Sequence, residues 1–286
     1  MTKLAQTIAK KTEKMWPGLG YAIENGSTIT SDLEHLVLIE PMAEIDGATR
    51  ADEMPLPRWH TEADYGEDMP LPKHFTDDLR WTAKASGRKD VRWYLNGVSF
   101  QTGRVIATNG HRLHQAKDQH YPELGIVPIE GIKGLLSLAR EKGKATPISV
   151  ARADQAVRFT VGDCQLHVRL IEGTYPEIDR VVPREVYPLG VDLTAIGYKY
   201  RKQFKAKFGS ALRVYRGTIT TPDSETVAEY DGSVLDTVNP YVGTGFNMDY
   251  LADAKTKGGE TFLRSDREVA LVKSDTRMAV IMGMRV

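Results

Sequence analysis

The stretch Asp90–Leu113 reads DVRWYLNGVSFQTGRVIATNGHRL, and it says more about the fold than any other part of the chain. An apolar alternating run leads to a turn at Gly103, a second apolar run follows, and the polar segment Thr108–Arg112 ends it. A glycine-containing turn between two such runs is typical of a β-hairpin. The stretch therefore predicts two antiparallel strands followed by a tight turn.

The same pattern of strand, glycine turn and strand occurs three times along the chain. The turns begin the segments Gly26–Asp32, Gly103–Asn109 and Gly217–Asp223, each of which runs from Gly to Asp or Asn. Helix-like periodicity precedes each copy or follows it, in Leu4–Met15, Thr76–Lys84, Ile129–Lys142, Leu193–Lys207 and Met248–Lys257. The repeat predicts an α+β fold of tandem domains, each with two helices packed on antiparallel sheets.

The spacing of the copies indicates the domain organisation. The second and third copies are a full domain apart, whereas the first lies closer to the second and lacks a second helix. We therefore expect two full domains, at 73–187 and 188–286, after a partial first domain in 1–72. The segment 41–72 is acidic, contains prolines and has little apolar periodicity, so we expect an irregular connector there.

Composition excludes several classes of protein. The 38 basic and 38 acidic residues balance, so bulk charge does not hold the molecule to nucleic acid. The only cysteine, Cys164, excludes an internal disulfide and a cysteine metal site. The lysine-rich N-terminus does not resemble a signal peptide, and no apolar run is long enough for a membrane span, so we expect a cytoplasmic protein.

Enzyme motifs are absent from the sequence. It contains no phosphate-binding GxxxxGK[ST], no dinucleotide-binding GxGxxG and no GxSxG nucleophile turn, so we expect neither catalysis nor a cofactor. The pair His111 and His114, with His120 nearby, leaves a metal-dependent phosphoesterase as a minor alternative. On a strand and turn these histidines do not converge as they would on a helix, so we predict no metal site.

Six segments resemble the bacterial sliding clamp, the β subunit that acts as processivity factor for the replicative DNA polymerase. They are VRWYLNG at 91–97, ATNGHRL at 107–113, VPIEGIKGLLSLA at 127–139, RLIEGTYPEIDRVVP at 169–183, GFNMDYLADA at 245–254 and VIMGMRV at 280–286. The chain differs from the family at Asn109, usually Asp, at His114, usually a small residue, and at Gly283, often Pro. We also expect half of the first domain to be missing, which would make the chain a shortened relative of phage or mobile-element type.

The resemblance implies a pocket between the two full domains that docks short peptides of client proteins. Its expected lining is Leu95, Thr108, Gly110, His111, Arg112, Leu113, Pro176, Arg180, Val181, Val280, Met282, Met284 and Arg285. Leucine, valine and methionine would give an adaptable apolar floor, and the arginines would hold acidic groups or carbonyls of the partner at the rim. For Leu95, Leu113 and Val280 a place in the core is an equally good interpretation.

The resemblance also implies a ring whose helices face duplex DNA and contact its phosphates without reading bases. The expected DNA-facing residues are Lys10, Lys11, Lys14, Trp93, Tyr94, Lys133, Arg140, Lys199, Arg201, Lys202, Lys205 and Lys255. The implied partners are double-stranded DNA, a DNA polymerase, other proteins with a clamp-binding motif, a clamp loader and further copies of the chain. The alternative is an adaptor or decoy of the same fold that binds clients without encircling DNA.

Overall fold

The computed structural model describes residues 1–204, 211–215, 217–231, 244–264 and 269–285. The chain divides into two compact units, each built from several segments. Unit 1 contains residues 1–80, 91–105 and 119–175, and unit 2 contains residues 81–90, 106–118 and 176–286. The sequence-based domain boundaries at 73–187 and 188–286 are continuous stretches and remain a prediction.

Five of the six described α-helices lie where the sequence patterns predicted them, and the sixth, α2 (Arg58–Thr61), lies in the segment expected to be an irregular connector. The six are α1 (Lys3–Met15), α2 (Arg58–Thr61), α3 (Phe75–Thr82), α4 (Ile129–Lys142), α5 (Leu193–Tyr200) and α6 (Met248–Ala254). Short 3₁₀ helices occupy Ala83–Ala85, Trp93–Leu95 and Ile178–Arg180. The predicted bounds of α4 are confirmed, whereas α5 and α6 end earlier than the periodicity indicated.

Helix α5 has a well-defined start and an early end. At its start, the side chain of Asp192 caps the first turn by accepting hydrogen bonds from the backbone N–H groups of Thr194 and Ala195. The sequence after Tyr200 then concentrates positive charge on successive turns, and like charges three or four residues apart destabilise a helix. Residues 201–204 consequently form turns, and 205–207 lie outside the described residues.

Unit 1 contains a mixed eight-stranded sheet in the order β4-β1-β2-β3-β12-β11-β10-β5. These strands are β1 (Tyr21–Glu24), β2 (Ser27–Ser31), β3 (Leu36–Pro41), β4 (Arg50–Ala51), β5 (Met69–Pro70), β10 (Ile148–Arg152), β11 (Ala156–Val161) and β12 (Cys164–Arg169). The strand β6 (Gly97–Gln101) pairs with β9 (Gly125–Pro128) in the same unit. The N-terminal half-unit therefore joins the later strands of the expected middle domain through the β3–β12 pair.

The segment 41–72 is irregular in outline, as expected, but it is not a free connector. It supplies both edge strands of the sheet, because β4 pairs with β1 and β5 pairs with β10. Met54 is 3% exposed and packs in a core cluster with Ala22, Ile29 and Val37. The irregular connector that we expected therefore also contributes to the sheet and its core, through two short strands and apolar residues at irregular spacing.

Helix pairs lie close together in both units, and glycines set the approach. In unit 1, a Cβ added to Gly134 of α4 would lie 3.6 Å from Cδ2 of Leu4 in α1. In unit 2, a Cβ added to Gly197 of α5 would lie 2.7 Å from Cβ of Leu251 in α6. The pairing of α1 with α4 brings the helix of the partial first domain against a helix from the middle of the chain.

Unit 2 contains two runs of paired strands. One is β13-β18-β19-β20-β8 and the other is β16-β15-β14-β17-β21. Their bounds are β8 (Arg112–Lys117), β13 (Tyr187–Pro188), β14 (Ala211–Tyr215), β15 (Thr218–Thr220), β16 (Thr226–Glu229), β17 (Thr244–Asn247), β18 (Glu260–Leu263), β19 (Val269–Lys273), β20 (Arg277–Met282) and β21 (Met284–Arg285). The strand β7 (Arg104–Thr108) begins in unit 1 and ends in unit 2.

The glycine turns of the repeat have the backbone conformation that the hairpin pattern requires. Gly26, Gly103 and Gly217 have φ angles of 74°, 76° and 77°, in the left-handed region that favours glycine. The pairs β1–β2 and β14–β15 are antiparallel hairpins, as predicted. The α+β fold class of the sequence analysis is confirmed.

Candidate functional site

The two segments that the sequence analysis singled out meet in unit 2. Strand β8, which begins at Arg112, pairs antiparallel with β20, and Leu113 lies opposite Val280. The backbone N–H of Met282 donates to the carbonyl of His111 at 2.9 Å. The segments 107–113 and 280–286, both part of the clamp resemblance, therefore contribute neighbouring strands to one sheet.

The turn before β8 is held by its own polar side chains. Oγ1 of Thr108 accepts from the N–H of Gly110 at 3.0 Å, and Oδ1 of Asn109 accepts from the N–H groups of His111 and Arg112 at 3.0 and 3.1 Å. Gly110 has a φ of 85°, which explains the glycine at this position. Asn109 thus provides the acceptor oxygen that the aspartate usual in the family would provide.

Alternation along the strands divides the predicted pocket residues between two faces. Leu113, Val280 and Met282 share one face with Val269, because the register pairs Val269 with Met282 and Leu113 with Val280. On the other face, Ala279 and Ile281 belong to the main core of unit 2. Arg112 pairs with Ile281 and therefore lies on the core face.

Arg112 is bound inside unit 2, which corrects its expected role at the rim of a pocket. Its side chain is only 10% exposed, and Nη1 lies 2.7 Å from Oδ2 of Asp253. The guanidinium stacks 4.4 Å from the ring centroid of Tyr250, and Nη2 donates to the carbonyl of Lys84. With these partners, Arg112 anchors β8 to α6 and to the 3₁₀ turn Ala83–Ala85.

His114 also lies on the core face. Its ring stacks on Trp81 with centroids 4.3 Å apart, and burial lowers the pKa of His114 to about 3. His111, three residues earlier, is exposed on the opposite face. In the described ranges, no three His, Cys, Asp or Glu side chains gather closely enough to hold a metal ion.

The apolar face of β20 borders an open groove of about 610 Å³ within unit 2. Its lining is Asp179, Arg180, Val181, Val182, Pro183, Arg184, Glu185, Arg264, Val269 and Met282. Val181 is 50% exposed and Met282 is 42% exposed, so two large apolar side chains face solvent in one concavity. Exposed apolar side chains that cluster in a groove are typical of a surface that binds a partner.

The remaining pocket residues have different places. Leu113 and Val280 are 3% and 2% exposed and lie in the core, as does Leu95 of unit 1 at 2%. Met284 is 39% exposed on β21, which pairs with β17 in the other run of strands. Pro176 is exposed, and of Arg285 only its backbone in β21 is described.

The groove also contains residues that sequence reasoning did not name, chiefly Val182, Arg184, Arg264 and Val269. Val182 and Arg184 belong to the run VVPRE at 181–185, which begins at the predicted residue Val181, so the sequence could have indicated them. Val269 reaches the groove only through its pairing with Met282, which no sequence pattern reveals. Arg180 is 82% exposed and forms a salt bridge of 2.9 Å with Glu177, so it lies at an open rim.

A second candidate surface in unit 2 is basic and aromatic. Tyr198 is 54% exposed, with the guanidinium of Arg201 at 4.7 Å and the ammonium of Lys255 at 5.2 Å from its ring centroid. Lys199 and Lys202 are exposed on the same segment. Burial lowers the pKa of Lys84, an effect that Asp253 opposes and the charge of Arg201 reinforces.

The other expected DNA-facing residues lie in unit 1, except for Lys205, which lies outside the described residues. Lys10, Lys11 and Lys14 are exposed on one side of α1, and Lys133 and Arg140 are exposed on α4. Trp93 and Tyr94 begin a 3₁₀ helix, whereas the pattern had indicated a strand. Trp93 is 61% exposed, and its indole N–H donates to the carbonyl of Glu172 at 2.9 Å.

Among the described residues, no helix is long and apolar enough to cross a membrane.

Comparison with known proteins gives one consistent result. The family described as "DNA polymerase III beta subunit, central domain" matches residues 72–177. The "Beta sliding clamp" of Pseudomonas putida is 27% identical over 232 residues, covering 70% of this chain and 57% of that protein. The "Beta sliding clamp" of Escherichia coli K12 is 26% identical over 225 residues, covering 71% and 58%. The matched region thus spans less than two thirds of these relatives.

Solved structures resemble the whole chain. The DNA polymerase sliding clamp from Caulobacter crescentus superposes with a TM-score of 0.74 at 19% identity, covering 99% of this chain and 96% of the other. The sliding clamp from Pseudomonas aeruginosa gives a TM-score of 0.70 at 22% identity, covering 99% and 97%. The fold is therefore the DNA-clamp fold, and the three comparisons together indicate a bacterial sliding clamp-like protein.

Proposed function

We propose that the chain is a non-enzymatic processivity factor for a DNA polymerase, which holds duplex DNA through basic residues and docks client peptides in the groove of unit 2. The observation that carries the proposal is the open groove of unit 2, in which the exposed side chains of Met282 and Val181 line one concavity together with charged residues. The names of the relatives support the assignment to replication. The polymerase, other client proteins, a clamp loader and further copies of the chain are the proposed partners.

The apolar groove supports peptide docking for physical reasons. Met282 and Val181 already face solvent, so a partner that covers them gains the free energy of burying apolar surface without displacing a packed element. Arg180, Arg184 and Arg264 line the same groove as cations, beside Asp179 and Glu185. A short segment with spaced Leu or Phe residues and polar flanks fits this arrangement.

The basic surfaces support DNA binding without sequence readout. Most of the described cations of α1, α4 and the α5–α6 region are exposed, and Arg201 is half-buried. Lys or Arg that contacts phosphates carries no base information. Binding of this kind should weaken steeply with salt, since each neutralised phosphate releases counterions. Reversal of Lys199, Arg201 and Lys202 to Glu should therefore abolish most of the affinity for nicked duplex DNA.

The peptide proposal is tested by titrating a labelled peptide with spaced Leu and Phe residues against the whole chain. We expect Met282→Ala to weaken binding by about 1–2 kcal/mol, or roughly five- to thirtyfold, because it truncates an exposed apolar contact. Met15→Ala is the matched control, since Met15 is a similarly exposed methionine of unit 1, at 47%. If Met282→Ala and Met15→Ala bind the peptide with equal affinity, the groove is not the peptide site.

The second candidate function is an adaptor of the clamp fold that binds clients without encircling DNA. It is favoured by one observation: the exposed Met282 and Val181 line a groove within unit 2, so client binding there does not require a ring. Light scattering with and without nicked circular DNA separates the two. A species that stays on circular DNA and leaves when the circle is cut indicates a ring, whereas peptide binding without DNA retention indicates an adaptor.

A further inference from the structure

Unit 1 contains a second groove, remote in sequence from the peptide groove. It lies between the start of α3 and the turn that joins α4 to β10, and its volume is about 450 Å³. Its lining is Leu71, Pro72, Lys73, Thr76, Asp77, Arg80, Ala139, Arg140, Gly143, Lys144, Ala145, Thr146, Pro147 and Ile148. Apolar side chains and backbone form its floor, and most of its charged groups are positive.

Among the residues that the structure describes, carboxylates neutralise only part of the positive charge of this groove. Asp77, the carboxylate of the lining, lies 2.7 Å from Nη1 of Arg80 and is paired with it. Lys73, Arg140 and Lys144 are exposed, and among the described residues none of the three has a carboxylate within salt-bridge distance. Three uncompensated cations therefore surround one concavity.

Helix electrostatics accounts for only one of these cations. Arg140 lies in the last turn of α4, where a cation stabilises the helix dipole. Lys144 lies beyond Gly143, the C-terminal cap of the helix. Lys73 lies just before α3, where the dipole disfavours a positive charge. Lys73 and Lys144 are therefore exposed cations that an anion in the groove can contact.

We propose that this groove binds the backbone of one DNA strand, with phosphates at Lys73, Arg140 and Lys144 and sugars on the apolar floor. A groove of about 450 Å³ admits a single extended strand, whereas a duplex is much wider. Single-strand binding without base specificity needs cations that follow the backbone, which this groove provides. The inference rests on the proposed function for the nature of the ligand, but it adds a site for single strands in unit 1.

The test measures the affinity of the whole chain for a short oligothymidylate across a series of salt concentrations. We expect Lys73→Gln with Lys144→Gln to lower the slope of log K against log salt by about 1.4, or about 0.7 for each lost contact with a single strand. The control is Lys117→Gln with Lys273→Gln, which removes two exposed lysines of unit 2 and should leave the slope unchanged. All variants keep the fold-determining core, since the changed side chains are exposed.

Three outcomes overturn the inference. One is that the wild-type chain fails to bind oligothymidylate at low salt, and another is that both lysine pairs change the slope equally. The third is that an oligoglutamate peptide binds in a Lys73- and Lys144-dependent way while oligothymidylate does not compete, which would assign the groove to an acidic protein partner.

The same titrations separate this inference from the proposed function. Duplex binding that is lost in the Lys199, Arg201 and Lys202 reversal but kept in the Lys73 and Lys144 variant supports two distinct surfaces. An unchanged single-strand slope with normal duplex binding removes the groove and leaves the processivity proposal in place. If the Lys73 and Lys144 variant has a reduced slope for oligothymidylate but the wild-type chain does not bind duplex DNA, the groove remains a single-strand site and the processivity proposal is wrong.

Discussion

Replacement of Arg112 by methionine should destabilise unit 2 far more than the same replacement of Arg180. Both arginines were expected at a pocket rim, but their environments differ. Arg112 is 10% exposed and pairs with Asp253, whose side chain is 26% exposed, whereas Arg180 and its partner Glu177 are 82% and 74% exposed. Methionine keeps the length and apolar volume of the stem, so the comparison isolates the charged end of the side chain.

The magnitude for Arg112 follows from three contacts. The bond to Asp253 and the bond to the Lys84 carbonyl are charge-assisted, a kind of bond that contributes about 1.5–3 kcal/mol. The first is part-buried and the second exposed, so we take the lower end of that range for both. Stacking on Tyr250 adds about 1 kcal/mol. Asp253 is partly solvated and keeps Lys84 at 4.0 Å, which reduces the loss, so we expect about 3 kcal/mol for Arg112→Met. For the exposed pair of Arg180 we expect less than about 1 kcal/mol.

The assay is urea unfolding followed by tryptophan fluorescence in a background where Trp16, Trp59 and Trp93 are replaced by Phe. Trp81, at 4% exposure in the core of unit 2, then reports on that unit alone. Asp253→Asn completes a double-mutant cycle with Arg112→Met, and we expect a coupling of about 1–2 kcal/mol. Arg112 and Arg180 variants of equal stability, or a cycle without coupling, would refute the internal role of Arg112.

Two further predictions concern unit 1. Burial lowers the pKa of His167 to about 3, below the usual 6.5, so the unfolded chain takes up a proton that the folded chain does not as pH falls from about 6.5 to 3, and stability falls through that window. His167→Gln should flatten the pH dependence by up to about 1.4 kcal/mol per pH unit, measured by urea unfolding at pH 7 and pH 5, and an unchanged profile would contradict this. A Cβ added to Gly131 would lie 2.4 Å from Cγ1 of Val168, so Gly131→Ala should cost about 1–3 kcal/mol and Val168→Ala should relieve part of it. Gly134→Ala, where the nearest atom is at 3.4 Å, should be neutral or stabilising, and equal effects at the two glycines would show that the backbone adjusts freely.

Local patterns predicted the elements that local physics determines. The glycine turns at Gly26, Gly103 and Gly217 require positive φ, and that requirement is visible in the sequence itself. The bounds of α4 were predicted because its apolar residues recur with helical spacing over 14 residues, up to the cap at Gly143. Only the resemblance indicated that the segments containing β8 and β20 lie close together, because pairing between strands far apart in sequence has no local signature.

The sequence did not predict features that depend on tertiary packing. Met54 and Ile45 are 3% exposed, although the segment around them is acidic and without periodicity. Met54 is buried because it packs on residues of β1–β3, and the sequence of 41–72 by itself gives no information about that contact. The end of α5 at Tyr200 was missed for a different reason, because helical periodicity alone does not include the repulsion between the neighbouring cations that follow Tyr200.

Strand alternation limits how far a family's pocket residues can be transferred to this chain. In β8, Leu113 shares a face with Val280 and Met282, so Arg112 and His114 must lie on the opposite, core face. Their contacts agree: Arg112 holds Asp253 and His114 stacks on Trp81, and both partners belong to unit 2. A change at Arg112 that weakens peptide binding would therefore act by moving β8, whereas a change at Met282 removes a contact surface. The two are separable, because Arg112→Lys in a folded chain should leave peptide affinity within about threefold, while Met282→Ala should not.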